Sequence, residues 1–209
     1  RSTFGPITNT LPSIYVDDTK RFQTMDGFGY TLTGGSAQLL TRMNSTDRAQ
    51  LLQELFATDQ NNIGVSYLRI SIGASDLSDH VFTYDDLPAG KTDPTLSQFT
   101  LAEEQKELIP VLKQILKINP QIKILGSPWT PPSWMKTNGA SKGGSLKPEF
   151  YDVYARYLVK YIQEMQKDTQ TVIVIEEVNE QGVVQISSAN KANIDKALAR
   201  IRAITATPE

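Results

Sequence analysis

The chain has 209 residues, of which 39% are hydrophobic, and a formal net charge of -2 without any cysteine. This is enough apolar material for a sizeable core in one large or two small domains. The scattered lysines and arginines form no basic stripe for nucleic acid, the lack of cysteine excludes disulfides and thiolate metal sites, and no apolar run of about 18 residues predicts a membrane span. Because the chain begins at Arg1 and not at a methionine, we expect a processed product or a fragment.

The first part of the chain has few regular patterns. Residues 1–25 are rich in Thr, Pro and Ser, and an alternating segment at 13–17 predicts an edge strand or an entry arm. Residues 27–36 are rich in glycine, which predicts a close approach of backbone to backbone or ligand, but their spacing is not that of a dinucleotide-binding loop. Asn44 then predicts the N-cap of a helix through Phe56; the alternative role of Asn44-Ser45-Thr46 is a glycosylation sequon.

Residues 64–75 predict a buried strand that contains Arg69 and ends just before Asp76. Because an unpaired buried charge is costly, Arg69 is expected to pair with carboxylates. The long loop at 77–99 carries the only histidine, His80, among several aspartates. One histidine with loosely spaced acids is weak evidence for a metal compared with a solvated loop, so no metal site is predicted.

Both tryptophans follow the next predicted strand, at 122–125, which Gly126 ends. A buried strand that opens into a proline-rich loop with aromatic side chains is typical of the sugar-binding face of a barrel. Trp129 and Trp134 would then contact a ligand, whereas the alternative is that both indoles only fill the core. Their position just past a strand end favours the ligand-binding role.

Two long helices flank this strand. The first is predicted from Thr100 to about Ile118, with a kink at Pro110, and the second from Pro148 to about Lys167. The alternation of strands and helices up to this point predicts an α/β fold with a parallel barrel. After residue 170 the pattern changes to strands at 171–178 and 183–187 and a helix at 190–203, which predicts a hairpin plus a helix.

Several motifs occur in one order between residues 10 and 166. They are Gly27-Phe28-Gly29 with Leu32-Thr33, Tyr67-Leu68-Arg69-Ile70, Ala74-Ser75-Asp76-Leu77-Ser78, Phe82-Thr83-Tyr84, Ser127-Pro128-Trp129-Thr130, Trp134-Met135-Lys136-Thr137-Asn138-Gly139 and Gly144-Ser145-Leu146-Lys147. With these motifs the chain resembles the start of the catalytic barrel of glycoside hydrolase family 30, the glucosylceramidase-like enzymes. The resemblance implies a retaining hydrolase of β-glucosides or glucosylceramide-like substrates on a (β/α)8 barrel, in an extracellular or periplasmic location.

The same resemblance implies roles for four side chains. Arg69 would orient the catalytic carboxylates, Asp76 would accept hydrogen bonds from glucose hydroxyls, and Trp129 would wall the glucose site. Trp134 is a further candidate for substrate binding.

The catalytic glutamates are the weak part of the resemblance. The acid/base of the family lies in an Asn-Glu-Pro motif, and Asn179-Glu180 occupies the matching position here, with Gln181 in place of the proline. The nucleophile of the family belongs to a later strand that these residues do not reach. We therefore expect the chain alone to be inactive.

Residues 162–209 resemble instead the later part of the KH domain of bacterial polynucleotide phosphorylase. The matching segments are 171–177, 182–188 and 197–205, and in this interpretation Glu180 is a turn residue. The G-x-x-G loop that grips RNA in KH domains is missing, because its place holds Tyr157-Leu158-Val159-Lys160. RNA is therefore not an expected partner.

The sequence thus predicts an incomplete (β/α)8 TIM barrel of about four βα units, followed by a β-hairpin plus helix of KH type. Its parts would be an entry arm at 1–25, a partial glycosidase barrel at 26–166 and a KH-like segment at 167–209, joined as a chimera near residues 160–166. The predicted function is that of a glycoside hydrolase without cofactor or metal, with an unknown partner for the missing half of the barrel. The alternatives are an RNA-binding KH-type module and a non-catalytic sugar-binding fragment.

Overall fold

The computed structural model describes residues 12, 14–59, 61–169, 174–178 and 181–186. In chain order, its helices and strands are β1 (Gly29–Leu32), α1 (Gly34–Arg42), α2 (Ser45–Phe56), β2 (Tyr67–Ile72), α3 (Leu108–Ile118), β3 (Lys123–Pro128), α4 (Tyr151–Thr169), β4 (Val174–Val178) and β5 (Gln181–Ile186). Two short 3-10 turns, Ser133–Met135 and Pro148–Phe150, lie between β3 and α4. No helix in these ranges is long and apolar enough to cross a membrane.

The strands form one sheet in the order β1-β2-β3-β5-β4. β1, β2 and β3 are parallel, whereas β5 is antiparallel to β3 and β4 is antiparallel to β5. The predicted α/β fold with parallel strands is therefore confirmed for three strands. β4 and β5 form an antiparallel pair and β5 lies beside β3, so within the described residues the sheet has three parallel strands and not the four that about four βα units would supply.

The sheet is buried on one face. Leu68, Ile70 and Ile72 of β2 are at most 2% exposed and belong to the main hydrophobic core. Side chains alternate along a strand, so Tyr67, Arg69 and Ser71 lie on the opposite face, which we call the inner face. Arg69 is exposed there. The prediction of a buried Arg69 is wrong, because β2 buries only its other face.

The helices cover the buried face with apolar side chains. The core residues that they contribute include Leu52 and Phe56 of α2, Val111, Leu112 and Ile115 of α3, and Tyr157, Tyr161 and Met165 of α4. The predicted helix through Phe56 is confirmed, and the Asn44 side chain accepts a hydrogen bond from the Asp47 N–H at 2.9 Å, as an N-cap does.

Two helix boundaries differ from the prediction. α3 begins at Leu108 and not at Thr100, so Pro110 lies in its first turn, where the missing N–H removes no helical hydrogen bond. The glycine-rich stretch contains β1 and the start of α1, which the sequence did not predict. At position 29 the packing requires glycine, because a Cβ there would lie 1.6 Å from the Tyr67 carbonyl oxygen.

We expect Leu68→Ala to lower the free energy of unfolding by about 2–5 kcal/mol, because it leaves a cavity in the middle of the sheet's buried face. Leu39→Ala on α1 is the matched control, since Leu39 is 66% exposed, and its effect should stay within about 0.5 kcal/mol. Urea unfolding followed by circular dichroism measures both. Equal effects of the two substitutions would contradict the assignment of the buried face.

Candidate functional site

The carboxyl ends of β2 and β3 lie side by side. Ile72 and Pro128 are paired in the register of these strands, Asp76 follows the first by four positions and Trp129 follows the second directly. We call the two loops that begin here, residues 73–78 and 129–147, the rim. In parallel α/β sheets, ligands bind beyond the carboxyl ends of the strands, so the rim is the candidate site.

Asp76 lies in an exposed turn that is fastened from both sides. The Ser78 N–H donates to the Ser75 carbonyl at 3.1 Å, and the Ser75 N–H donates to the Ser78 hydroxyl at the same distance. The Gly35 N–H at the start of α1 donates to the Leu77 carbonyl at 3.0 Å. Within the described residues the Asp76 carboxylate has no ion pair or side-chain hydrogen bond, so its oxygens are available to accept from a ligand.

The two tryptophans have different environments. Trp129 is 45% exposed on the rim, whereas Trp134 is 7% exposed. The Trp134 Nε1–H donates to the Asp85 carbonyl at 2.9 Å, and its ring lies edge-on to Phe150 with a centroid distance of 5.0 Å. Trp129 can therefore contact a ligand with its ring, whereas Trp134 is buried and connects the rim to Asp85 and Phe150.

Arg69 reaches a hydroxyl and not a carboxylate. Its Nη2–H donates to Ser127 Oγ at 2.9 Å, across the pair of strands β2 and β3 on the inner face. Among the described residues no ion pair includes Arg69. Its expected carboxylate partners are therefore absent from this part of the chain, and its guanidinium keeps donors for other groups on the inner face.

Tyr84, for which the sequence predicts no role, holds the connection between β2 and α3. Its hydroxyl accepts from the Gly73 N–H and donates to Glu104 Oε1, both at 2.7 Å. Its own N–H donates to the Tyr157 hydroxyl at 3.0 Å, and its ring stacks on Tyr161 at 5.3 Å. A tyrosine with two polar neighbours inside an aromatic cluster has no signature in sequence, because its partners are distant along the chain.

Glu104 is buried beside Tyr84. Burial raises the pKa of the Glu104 carboxyl to about 7, and the Tyr84 hydrogen bond partly opposes this rise. Glu104 also lines a cavity of about 100 Å³ between the start of α1 and residues 103–108, together with His80 and Glu103. His80 Nδ1 lies 2.6 Å from an Asp79 oxygen, but no group of three or more potential metal ligands is assembled in the described residues.

Asp85 is a buried carboxyl group without a partner. It is 1% exposed, and neither carboxyl oxygen has a hydrogen-bond partner among the described residues. The pKa of Asp85 is raised to about 6, chiefly by burial and in part by the neighbouring Asp93 and Asp86, while Lys160 on α4 opposes the rise. Its backbone carbonyl accepts the hydrogen bond from Trp134.

Asn179 and Glu180 lie outside the described residues. Their assignment as acid/base and neighbour therefore stays a prediction from the sequence.

A family model for the glycosyl hydrolase family 30 TIM-barrel domain matches residues 25–196. The chain belongs to this family. It is 35% identical over 187 residues to an endo-1,6-β-D-glucanase of Neurospora crassa and 37% identical over 155 residues to the lysosomal acid glucosylceramidase of Mus musculus. It covers 38% and 29% of these two proteins, and the matches take in 86% and 71% of the chain.

A solved structure of the endo-β1,6-glucanase BT3312 is also similar. Its TM-score is 0.65 at 38% sequence identity, and the match covers 73% of this chain and 34% of that chain. The chain therefore spans about a third of the length of the family 30 proteins that it matches.

The comparisons give no support to the KH resemblance. The family 30 match continues through residues 160–166, where the chimera was predicted to join, and ends only at residue 196. The structure shows a β4–β5 pair, but the predicted helix at 190–203 lies outside the described residues. An antiparallel strand pair alone does not distinguish a KH segment, because hairpins occur in many folds.

We expect the free energy of unfolding to fall between pH 5 and 8. The folded-state pKa values of Asp85, about 6, and Glu104, about 7, exceed their ordinary values, so in this window the folded state binds more protons than the unfolded state and stability decreases as pH rises. Asp85→Asn should remove the part of this decrease that Asp85 causes, so that the free energy of unfolding at pH 8 falls by about 1–3 kcal/mol less than in the wild type. Urea unfolding at several pH values measures this.

Asp93, the acidic neighbour of Asp85, does not titrate between pH 5 and 8. Burial raises the pKa of Asp93, but hydrogen bonds from Gln98, Thr95 and Ser97 outweigh this effect and lower it to about 2, so the contribution of Asp93 to stability is lost only at more acidic pH. Asp18→Asn on the exposed arm is the control and should follow the wild type. A wild-type stability that is constant or rises from pH 5 to 8 would contradict the burial of these carboxyl groups.

Proposed function

We propose that the rim is the sugar-binding part of a family 30 β-glucosidase and that this chain binds β-linked glucose residues. The observation that carries the proposal is the placement of an unpartnered carboxylate, Asp76, and an exposed indole, Trp129, at adjacent carboxyl ends of parallel strands. A carboxylate accepts hydrogen bonds from sugar hydroxyls, and the apolar face of a pyranose packs on an aromatic ring. Arg69, held by Ser127, would orient charged groups on the inner face.

The family relationship supports a glucan or glucosylceramide-type substrate. The similar proteins named above are an endo-1,6-β-glucanase and a glucosylceramidase; the first name describes a β-linked glucan and the second a glucosyl group. The shared part of these substrates is the glucose unit, and the rim is the part of the site that this chain contributes to its recognition.

Hydrolysis with retention needs two carboxyl groups about 5–5.5 Å apart. Glu180 is the proposed acid/base, and the described part of the rim offers only Asp76 as a further carboxylate. For the 209-residue chain we therefore propose binding and no turnover, with Trp134 as a buried part of the rim and not as a sugar contact.

Sugar binding is tested by Trp fluorescence during titration with gentiobiose, a β-1,6-linked glucose dimer. We expect a change in emission that Asp76→Ala weakens by about tenfold in affinity, because a charge-assisted hydrogen bond contributes roughly 1.5–3 kcal/mol. Asp18→Ala is the matched control and should bind as the wild type does. Equal binding by the Asp76 variant, or none by the wild type, would refute the assignment of the rim.

Turnover is tested with an aryl β-glucoside. We expect no release of the aryl group by the 209-residue chain above the buffer rate. Measurable turnover that Glu180→Gln abolishes would show that the chain supplies its own catalytic pair and that the proposal of binding alone is wrong. Circular dichroism of both proteins checks that they are folded.

A further inference from the structure

Lys136 is a buried lysine in the rim. It is 5% exposed, and burial lowers the pKa of its ammonium group. None of the ion pairs found among the described residues includes it. A buried ammonium group must be compensated by hydrogen bonds when no carboxylate is near. The hydrogen-bond partners of the Lys136 Nζ atom therefore indicate the role of this residue.

Its two partners belong to different parts of the rim. The Lys136 Nζ donates to the Thr130 hydroxyl at 3.0 Å and to the Ser141 carbonyl at 2.8 Å. Thr130 directly follows Trp129, is itself buried, and its hydroxyl donates to the Pro131 carbonyl at 3.1 Å. The ammonium group therefore fastens the backbone beside Trp129 to the far side of the same loop.

The Trp129 ring has few contacts of its own that would fix its orientation. Its ring is 45% exposed and has no ring contact among the described residues, in contrast to Trp134, which has both a hydrogen bond and an aromatic neighbour. The backbone on either side of Trp129 therefore contributes to the position of its indole. On the C-terminal side that backbone is held by Thr130 and Lys136.

We propose that Lys136 is a positioning residue for Trp129: by joining Thr130 to Ser141, its ammonium group fixes the indole in the orientation in which it meets a ligand. The consequence for sugar binding rests on the proposed function, whereas the effect on the indole does not. A ligand-binding aromatic ring that is pre-organised in this way loses less conformational freedom on binding.

The test uses the whole chain labelled with 5-fluorotryptophan, which gives two fluorine NMR signals because the chain has 2 tryptophans. Trp129→Phe assigns them. We expect Lys136→Met, which keeps the length of the stem and removes the donors, to shift or broaden the Trp129 signal, to leave the Trp134 signal in place and to make Trp129 easier to quench with acrylamide. Lys142→Met is the matched control, since Lys142 is an exposed lysine of the same loop, and should change neither signal.

A second variant keeps the test decisive if Lys136→Met does not fold. Thr130→Val removes the hydroxyl acceptor beside Trp129 and leaves the lysine, so it should perturb the Trp129 signal selectively. An unchanged Trp129 signal in a folded Lys136→Met protein, or in Thr130→Val when the first variant is unfolded, overturns the proposal. Equal shifts of both tryptophan signals also overturn it, because they would show a general structural role.

Sugar binding is then measured separately. With the proposed function intact, Lys136→Met should weaken gentiobiose binding by about tenfold, as the loss of hydrogen bonds to a charged group does, and Lys136→Arg should restore part of it. If the wild type does not bind gentiobiose, the proposed function fails while the fluorine signals still decide the role of Lys136. If Lys136→Met moves the Trp129 signal and binds sugar as the wild type does, the inferred role in ligand binding is wrong.

Discussion

The hydroxyl group of Tyr84 is the contact on which the geometry of the candidate site depends. It accepts from the Gly73 N–H, which begins the loop after β2, and donates to the buried Glu104 just before α3. The ring stacks on Tyr161, and the N–H donates to Tyr157, so the connection is also fixed to α4. The long connection between β2 and α3 is therefore held at its start, just beyond the carboxyl end of β2 where the candidate site lies.

A second constraint is the difference between the two faces of the sheet. The helices bury the face with Leu68, Ile70 and Ile72, while the inner face carries Arg69 and Ser127 joined by a hydrogen bond. In a closed barrel the inner face is packed with side chains, and the chain spans only about a third of its family 30 relatives. The polar side chains on the inner face are therefore suited to face further strands and a ligand, and not a core of their own.

Two buried ionisable residues, Asp85 and Lys136, hold the rim and lower the stability of the fold. Asp85 and Lys136 are both buried, and neither forms an ion pair among the described residues. One holds Trp134 through its backbone carbonyl, and the other holds the residue after Trp129 through its ammonium group. Buried polar groups of this kind lower stability, and they occur at functional sites because they determine the position of nearby side chains.

The sequence by itself determined the family, the parallel α/β character, the Asn44 cap and the positions of Asp76 and Trp129 after strand ends, because these depend on local patterns and motifs. It did not determine the strand β1, the start of α3, the burial of Trp134 or the partner of Arg69. It also favoured a KH-like tail that the family match through residue 196 does not support. The strand β1, the start of α3, the burial of Trp134 and the partner of Arg69 were decided only by the tertiary structure, since the face that a strand buries and the partner that a polar group finds depend on residues far away in the chain.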